Sequence, residues 1–353
     1  MRIGFVWTGF TGYMADCWRE LASRPGVELK VWIEECRKSD TAFDVRQIMQ
    51  GLDFSWKYSD QIGDRELKAF ESEIGEFMPD VLFVCGWARR LPPFVAKSAR
   101  LCTVPKIMCC DMPWEWKIRK FAARFVLAHR LRRFSKIMVP GACAARYARW
   151  LGFAGKDIVT GEYGIDAARF GQANNGRISR KGFVFVGRLV PEKGIRMLAE
   201  AYCRYRKNAA ERGIAEDDIW PLDIYGSGDE ERWLKGQKGI RLHGFTQPEK
   251  FPKIFSEAGA LVLASKWEPW GVVLLEAAAS GLPIVCTDAC GAHHELVREN
   301  GIVVKSGNPK IFSEAMLEIG NANGAQGVIL AEKYSASRWA DRVIEVSENV
   351  LGQ

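Results

Sequence analysis

The stretch ASKWEPWGVVLLEAAASGLP, residues 264–283, carries the densest structural information in the chain. It follows an apolar run of strand length, Ala260 to Ala264. After Gly271 comes an unbroken run, Val272 to Ser280, that suits a buried helix and stops at Gly281-Leu282-Pro283. A strand therefore ends, a loop carrying Glu268 and Gly271 turns, and a helix begins with Glu276 in its first turns. In an open α/β sheet such a loop lies at the carboxyl end of a strand, where ligands bind. The amides at the start of the helix favour an anion. Glu276 stands in an otherwise apolar helix, where a carboxylate without partners is costly. A sugar or ribose diol would satisfy it, and so would an Arg or Lys from elsewhere in the fold.

Working outward, the βα rhythm recurs upstream. Phe183 to Gly187 reads as a strand running into Arg188, Lys193 and Gly194, then a helix from Ile195 to Lys207. Two cations near a helix N-terminus oppose its dipole unless an anion sits there, although a solvent-exposed pair would also tolerate the position. Residues 222–231, LDIYGSGDEE, give a strand, a glycine turn at Gly226 and Gly228, and a helix start. Arg241 to Phe245 is a short strand, in which His243 is a candidate base or a structural residue. Val285 to Thr287 leads to DACGAHHELV. His293 and His294 are adjacent, and the expectation is that their side chains point apart. Ile302 to Val304 and a final pair of helices follow.

In the first half, Arg2 to Trp7, Val27 to Glu34, Asp80 to Cys85, Lys106 to Cys110 and Ile137 to Pro140 read as strands, the last closing that half. Gly9 and Gly12 follow the first strand, where they let a ligand approach the backbone or simply form the turn. Residues 142–151 read as a helix. The polar region from Glu35 to Ser59 has no assignment.

Glu268, seven intervening residues and Glu276, with Pro269-Trp270-Gly271 between and AAASGLPIV after, resemble the E-x7-E signature of retaining, nucleotide-sugar-dependent glycosyltransferases of family 4, the glycosyl transferases group 1. The G-R-L-x-x-E-K-G run at 187–194 matches the same family. Residues 159–170 resemble its interdomain segment, Gly291 and Glu295 fit the segment after the donor helix, and Trp339 fits a terminal helix that crosses back. The resemblance is dense over 159–345 and thin over the first half.

The resemblance implies an α/β protein of GT-B fold, with two Rossmann-like domains facing across a cleft and a C-terminal helix crossing back to the first domain. Residues 1–170 would be the acceptor-side domain, 171–335 the nucleotide-sugar-binding domain and 336–353 the terminal helix. It implies an enzyme moving a sugar from a nucleoside-diphosphate sugar to a hydroxyl acceptor, carbohydrate or lipid-linked. Arg188 and Lys193 would contact the diphosphate, Glu268 the donor sugar and Glu276 the ribose. Trp270, Gly271, Val272, Val273, Gly226, Gly228, His243, Gly244 and Phe245 would line the donor. No Asp-x-Asp triplet occurs, so neither a metal nor another cofactor is expected beyond the sugar nucleotide as co-substrate. One departure is Asp111, standing where relatives often carry a His; it would serve as acceptor base or sugar ligand, or would cap the turn before Pro113. It leaves open a non-catalytic sugar-nucleotide-binding protein, and another GT-B enzyme such as an epimerase is a further alternative. A glycosidase-like use of Glu268 and Glu276 would require the two carboxyls about 5 to 10 Å apart across a sugar.

Composition bounds these readings. With 353 residues, 48% hydrophobic and 26% charged, the chain has room for two globular domains and no run long enough to span a bilayer. The opening residues read as a strand rather than a signal peptide. Ten Cys in mostly apolar surroundings, none in a C-x-x-C pair, read as reduced thiols of a cytoplasmic protein. The net charge of +7 is uneven, because residues 116–156 hold about eleven Lys and Arg and no acid, leaving about −4 for the rest. Within 116–136, Ile118, Phe121, Ala122 and Phe125 form an apolar stripe among Lys117, Arg119, Lys120 and Arg124. Such a helix would lie on an anionic membrane, on its inner face, or pack as a basic domain helix. No nucleic-acid module accompanies the charge.

Overall fold

The computed structural model describes residues 1–35, 45–87, 89–115, 117–172 and 181–352. These fall into two compact units, Met1–Asp166 with Ser335–Gln353, and Ala167–Tyr334. Residue 116, and most of the polar stretch at 171–181, lie outside the described residues.

In the first unit, short apolar runs form β1 (Arg2–Thr8), β2 (Glu28–Glu35), β3 (Phe54–Tyr58), β4 (Val81–Cys85), β5 (Lys106–Cys109), β6 (Lys136–Val139) and β7 (Ile158–Thr160). They build one sheet ordered β3-β2-β1-β4-β5-β6-β7, every pair parallel. The interior positions of β1, and four successive residues of β4 and of β5, are buried, which requires cover on both sheet faces. The strand order reverses between β1 and β4, a topological switch point at whose carboxyl edge ligands bind in such sheets.

Two expectations fail at the sheet edges. Phe54–Tyr58 is a strand inside the region left unassigned, part of which (residues 36–44) lies outside the described residues. Nor is the strand ending near Pro140 the last of its half, since β7 adds another. Both are edge strands with little burial, so neither needs the continuous apolar run that marks a central strand.

The chain returns to this unit at its end. Helix Ala336–Leu351 packs on helix Gly12–Ala22, the Ala336 amide donates to the Ile165 carbonyl at 2.7 Å, and Arg24 pairs with Asp341 at 2.9 Å. Trp339, 1% exposed, lies against Phe5 with ring centroids 5.7 Å apart and donates its indole N–H to the Glu162 carbonyl at 2.7 Å.

The second unit repeats the plan with β8 (Phe183–Val186), β9 (Leu222–Tyr225), β10 (Ile240–Gly244), β11 (Ala260–Leu263), β12 (Ile284–Thr287) and β13 (Gly301–Val304). Its parallel sheet runs β10-β9-β8-β11-β12-β13, so its switch point lies between β8 and β11. After β13 come three helices rather than two: Pro309–Glu318 and Gly324–Glu332 here, and Ala336–Leu351 in the first unit. Beyond β9 the expected helix start is a 3-10 segment, Asp229–Trp233.

Candidate active site

The β8 and β11 loops of the second unit are fastened together. Gly194, at φ +68°, lies so close to the end of β11 that a Cβ there would stand 2.0 Å from the Ala264 carbonyl oxygen. The amides of Lys266 and Trp267 donate to the Glu192 carbonyl at 2.8 and 3.2 Å. Across this seam the Lys193 ammonium forms an ion pair with the Glu268 carboxylate. Their side chains are 15% and 12% exposed, so the pair stands at a nearly buried but open edge. The same loop is held on its other side, where Glu268 bridges Cys290 and the Gly291 and Ala292 amides reach the Glu268 and Trp270 carbonyls.

Gly271, at φ +97°, caps helix Val272–Ala279. A left-handed cap residue is at little cost only for glycine. Along this helix Val272, Val273 and Glu276 are half-buried while Leu274, Leu275 and the three alanines are buried. Val272 and Val273 lie four and three residues before Glu276, so the three share one open face, with Glu276 one turn into the helix. Arg188 is exposed in the loop following β8. The switch point therefore presents a cation on one loop, a Lys–Glu pair across the seam, and a helix N-terminus with a carboxylate one turn in.

Other residues expected around a donor have packing duties. A Cβ on Gly226 would stand 1.8 Å from the Gly187 carbonyl oxygen, and one on Gly228 would stand 2.4 Å from that of Leu189. These glycines let the loops beyond β8 and β9 touch. The Trp270 indole, expected to line the donor, is 2% exposed and lies against Tyr334 with centroids 5.3 Å apart. Its ring is part of the core. His243 is held by Asp223, Nε2 to Oδ1 at 2.6 Å, and stacks on Tyr225 at 4.3 Å. Gly244 ends β10 and Phe245 follows it, 37% exposed. His293 and His294 do not point apart: they sit in a single short helical turn with ring centroids 3.9 Å apart.

In the first unit, Gly9 adopts φ +81° with its amide on the Glu34 carbonyl at 3.2 Å, and Gly12 begins the helix after it. Asp111, half-buried beyond β5, accepts a hydrogen bond from the Tyr163 hydroxyl at 3.1 Å. Beside it lies a residue that sequence reasoning passed over. Glu162 is 2% exposed, and its Oε2 atom is buried with no hydrogen-bond partner. Burial, and then the nearby Asp111 charge, push the Glu162 carboxyl well above its ordinary value of 4.5. Burial likewise raises the Tyr13 and Tyr163 hydroxyls, and lifts the Cys85 thiol to about 12.

Above the ordinary carboxyl value, the folded chain holds a proton on Glu162 that the unfolded chain has released, so this group lowers stability as pH rises. Glu162→Gln abolishes that dependence. Thermal melts at successive pH values above the ordinary carboxyl value should show the variant gaining on the parent, with a slope of up to about 1.4 kcal/mol per pH unit. A gap that does not change with pH contradicts a protonated Glu162.

Residues 180–322, within the second unit, match the model of the family described as Glycosyl transferases group 1. An uncharacterized glycosyltransferase of Methanocaldococcus jannaschii, MJ1607, is 35% identical over 137 residues, covering 36% of this chain and 33% of that protein. The chain spans about a third of the length of the first curated relatives it matches. Among solved structures, a glycosyltransferase from Rickettsia africae superposes with a TM-score of 0.74 at 12% identity, over 99% of this chain and 98% of the other. Anabaena Alr3699/HepE, in complex with UDP and glucose, gives 0.71 at 15% identity, over 99% and 100%. At these identities the likeness establishes the fold, which is GT-B.

Proposed function

We propose that the protein is a retaining glycosyltransferase that moves a sugar from a nucleoside-diphosphate sugar to a hydroxyl acceptor without a metal ion. The observation that carries this reading is the seam between β8 and β11, where the loop bearing Arg188, the Lys193–Glu268 ion pair and the N-terminus of the Glu276-bearing helix Val272–Ala279 share the carboxyl edge of one sheet. The diphosphate sits against these groups, its ribose hydroxyls bind Glu276, and Glu268 holds the donor sugar while its other partner, Lys193, keeps it in place. As the bond to the diphosphate breaks, Arg188, Lys193 and the helix amides take up the leaving-group charge. Asp111 serves the acceptor. The bound UDP and glucose of the Anabaena neighbour support a sugar nucleotide as donor.

A thermal-shift screen with UDP, GDP, ADP and CMP, followed by transfer assays with the matching sugar nucleotide, tests the reading. A ligand at 100 times its Kd stabilises the folded chain by about 2.7 kcal/mol. One nucleoside diphosphate should raise Tm and its sugar conjugate should be consumed. A chain that binds a sugar nucleotide without turnover would be a binding protein, and one that binds none would not be a transferase.

The acceptor is lipid-linked in this reading, and the support is helix Ile118–Val126. Ile118 is 89% exposed, Phe125 68% and Val126 75%, beside the exposed cations Lys117, Arg124, Arg130, Arg132 and Arg133. Lys120 departs from the expected basic stripe: it is 3% exposed and paired with Glu115 at 2.7 Å. No helix among the described residues is long and apolar enough to cross a membrane. The helix should therefore rest on an anionic bilayer surface, each cation adding about 1 kcal/mol at low salt. Cosedimentation with phosphatidylserine vesicles should fall as salt rises, and Ile118→Asp with Phe125→Asp should abolish it. Equal retention of the double variant would exclude this contact.

A further inference from the structure

Four strand ends converge at the carboxyl edge of the first sheet. Thr8 closes β1 and Cys85 closes β4, their Oγ1 and Sγ atoms 3.5 Å apart at the switch point. Asp111 lies just beyond β5, and Glu162 just beyond β7. Gly9, Tyr13, Gly86 and Asp111 are partly exposed, whereas Glu162 is buried beneath them. The Tyr163 hydroxyl donates to Asp111, and the Tyr13 ring meets the Tyr163 ring at 5.4 Å. The thiols of Cys85, Cys109 and Cys110 also lie near the Glu162 carboxyl, the Cys110 amide donates to the Met138 carbonyl, and Arg342 donates to the Gly161 carbonyl. Glu162 is fixed from behind by the Trp339 indole.

A buried carboxyl oxygen without a partner, beside a second carboxyl, calls for a ligand. Two such groups sharing a site do not both ionise, so the pair offers one donor and one acceptor. A hydroxyl is itself both donor and acceptor and fits that pair, whereas a phosphate or carboxylate would be repelled.

We propose that Glu162 and Asp111 together form a subsite for a sugar or polyol hydroxyl of the acceptor, Glu162 donating a hydrogen bond to its oxygen and Asp111 accepting its proton in a hydrogen bond. The proposal rests on the glycosyl-transfer reading and names the acceptor end that the first unit takes.

The test is saturation-transfer NMR with a panel of methyl pyranosides, alongside calorimetric titration with UDP, GDP and ADP, on the intact chain. The parent should bind at least one pyranoside. Asp111→Asn and Glu162→Ala should weaken that binding by about tenfold or more, while Glu162→Gln, which keeps a neutral donor, should stay within about threefold. Nucleotide affinity should be the same in all four proteins. A parent that binds no pyranoside, or a folded Glu162→Ala that binds like the parent, overturns the subsite. The two readings separate cleanly: a parent that binds no nucleotide, with pyranoside binding still lost in Glu162→Ala, would sink the transferase and leave the subsite standing. If Glu162→Gln also lost binding, the donor role given to Glu162 would be wrong.

Discussion

Replacing Lys193 with alanine is expected to lower the turnover number for sugar transfer by about 100- to 1,000-fold, the usual cost of removing one group aimed at developing charge. The variant loses a cation beside the diphosphate and also strands Glu268, whose side chain is 12% exposed. Breaking a nearly buried pair from one side costs up to about 3 to 5 kcal/mol, which adds a loss of loop order to the loss of charge. Lys193→Ala combined with Glu268→Gln relieves the stranded charge and should recover stability, measured by urea unfolding; turnover should stay low, because this variant lacks both the cation beside the diphosphate and the Glu268 carboxylate. A double variant as active as the parent would remove Lys193 from the reaction.

The second large effect is expected at Gly194. Alanine there must adopt φ +68° and places its Cβ 2.0 Å from the Ala264 carbonyl oxygen, a backbone atom that cannot swing aside. The β8 and β11 loops would be forced apart, at a cost of roughly 2 to 4 kcal/mol from strain and lost packing. Gly213 supplies the control, since its φ is +76° but nothing lies within 4 Å of its added Cβ. Gly213→Ala should cost only about 1 kcal/mol, the left-handed penalty alone. Urea midpoints compare the two, and Gly194→Ala should also weaken nucleoside-diphosphate binding. Equal destabilisation would mean that the loops need not meet closely.

How much of this can be read from the residues depends on what kind of force places them. The run from Ala260 to Pro283 was legible because breakers bound it on both sides, and its strand, left-handed glycine and helix are all local decisions. The ion pair of Lys193 with Glu268 joins residues 75 apart in sequence, and only the adjacency of β8 and β11 brings them together. Edge strands β3 and β7 escaped notice because partial exposure relaxes the apolar pattern. Glu162 gave no signal at all. In ThrGlyGluTyrGly it reads as an ordinary turn acid, and what buries it is a helix arriving from the far end of the chain, Trp339 onto Glu162 across 177 residues. Trp270 shows the converse limit: its place in the motif is local, whereas the burial of its ring against Tyr334 is set by the tertiary fold.

The central claim is that one nucleoside diphosphate binds at the switch point of the second sheet. A crystal structure of the protein with whichever nucleoside diphosphate most raises its Tm tests this most directly. The diphosphate should contact Arg188, Lys193 and the amides at the start of helix Val272–Ala279, with the ribose hydroxyls on Glu276. A nucleotide bound elsewhere, with Glu276 turned away from it, would contradict the account.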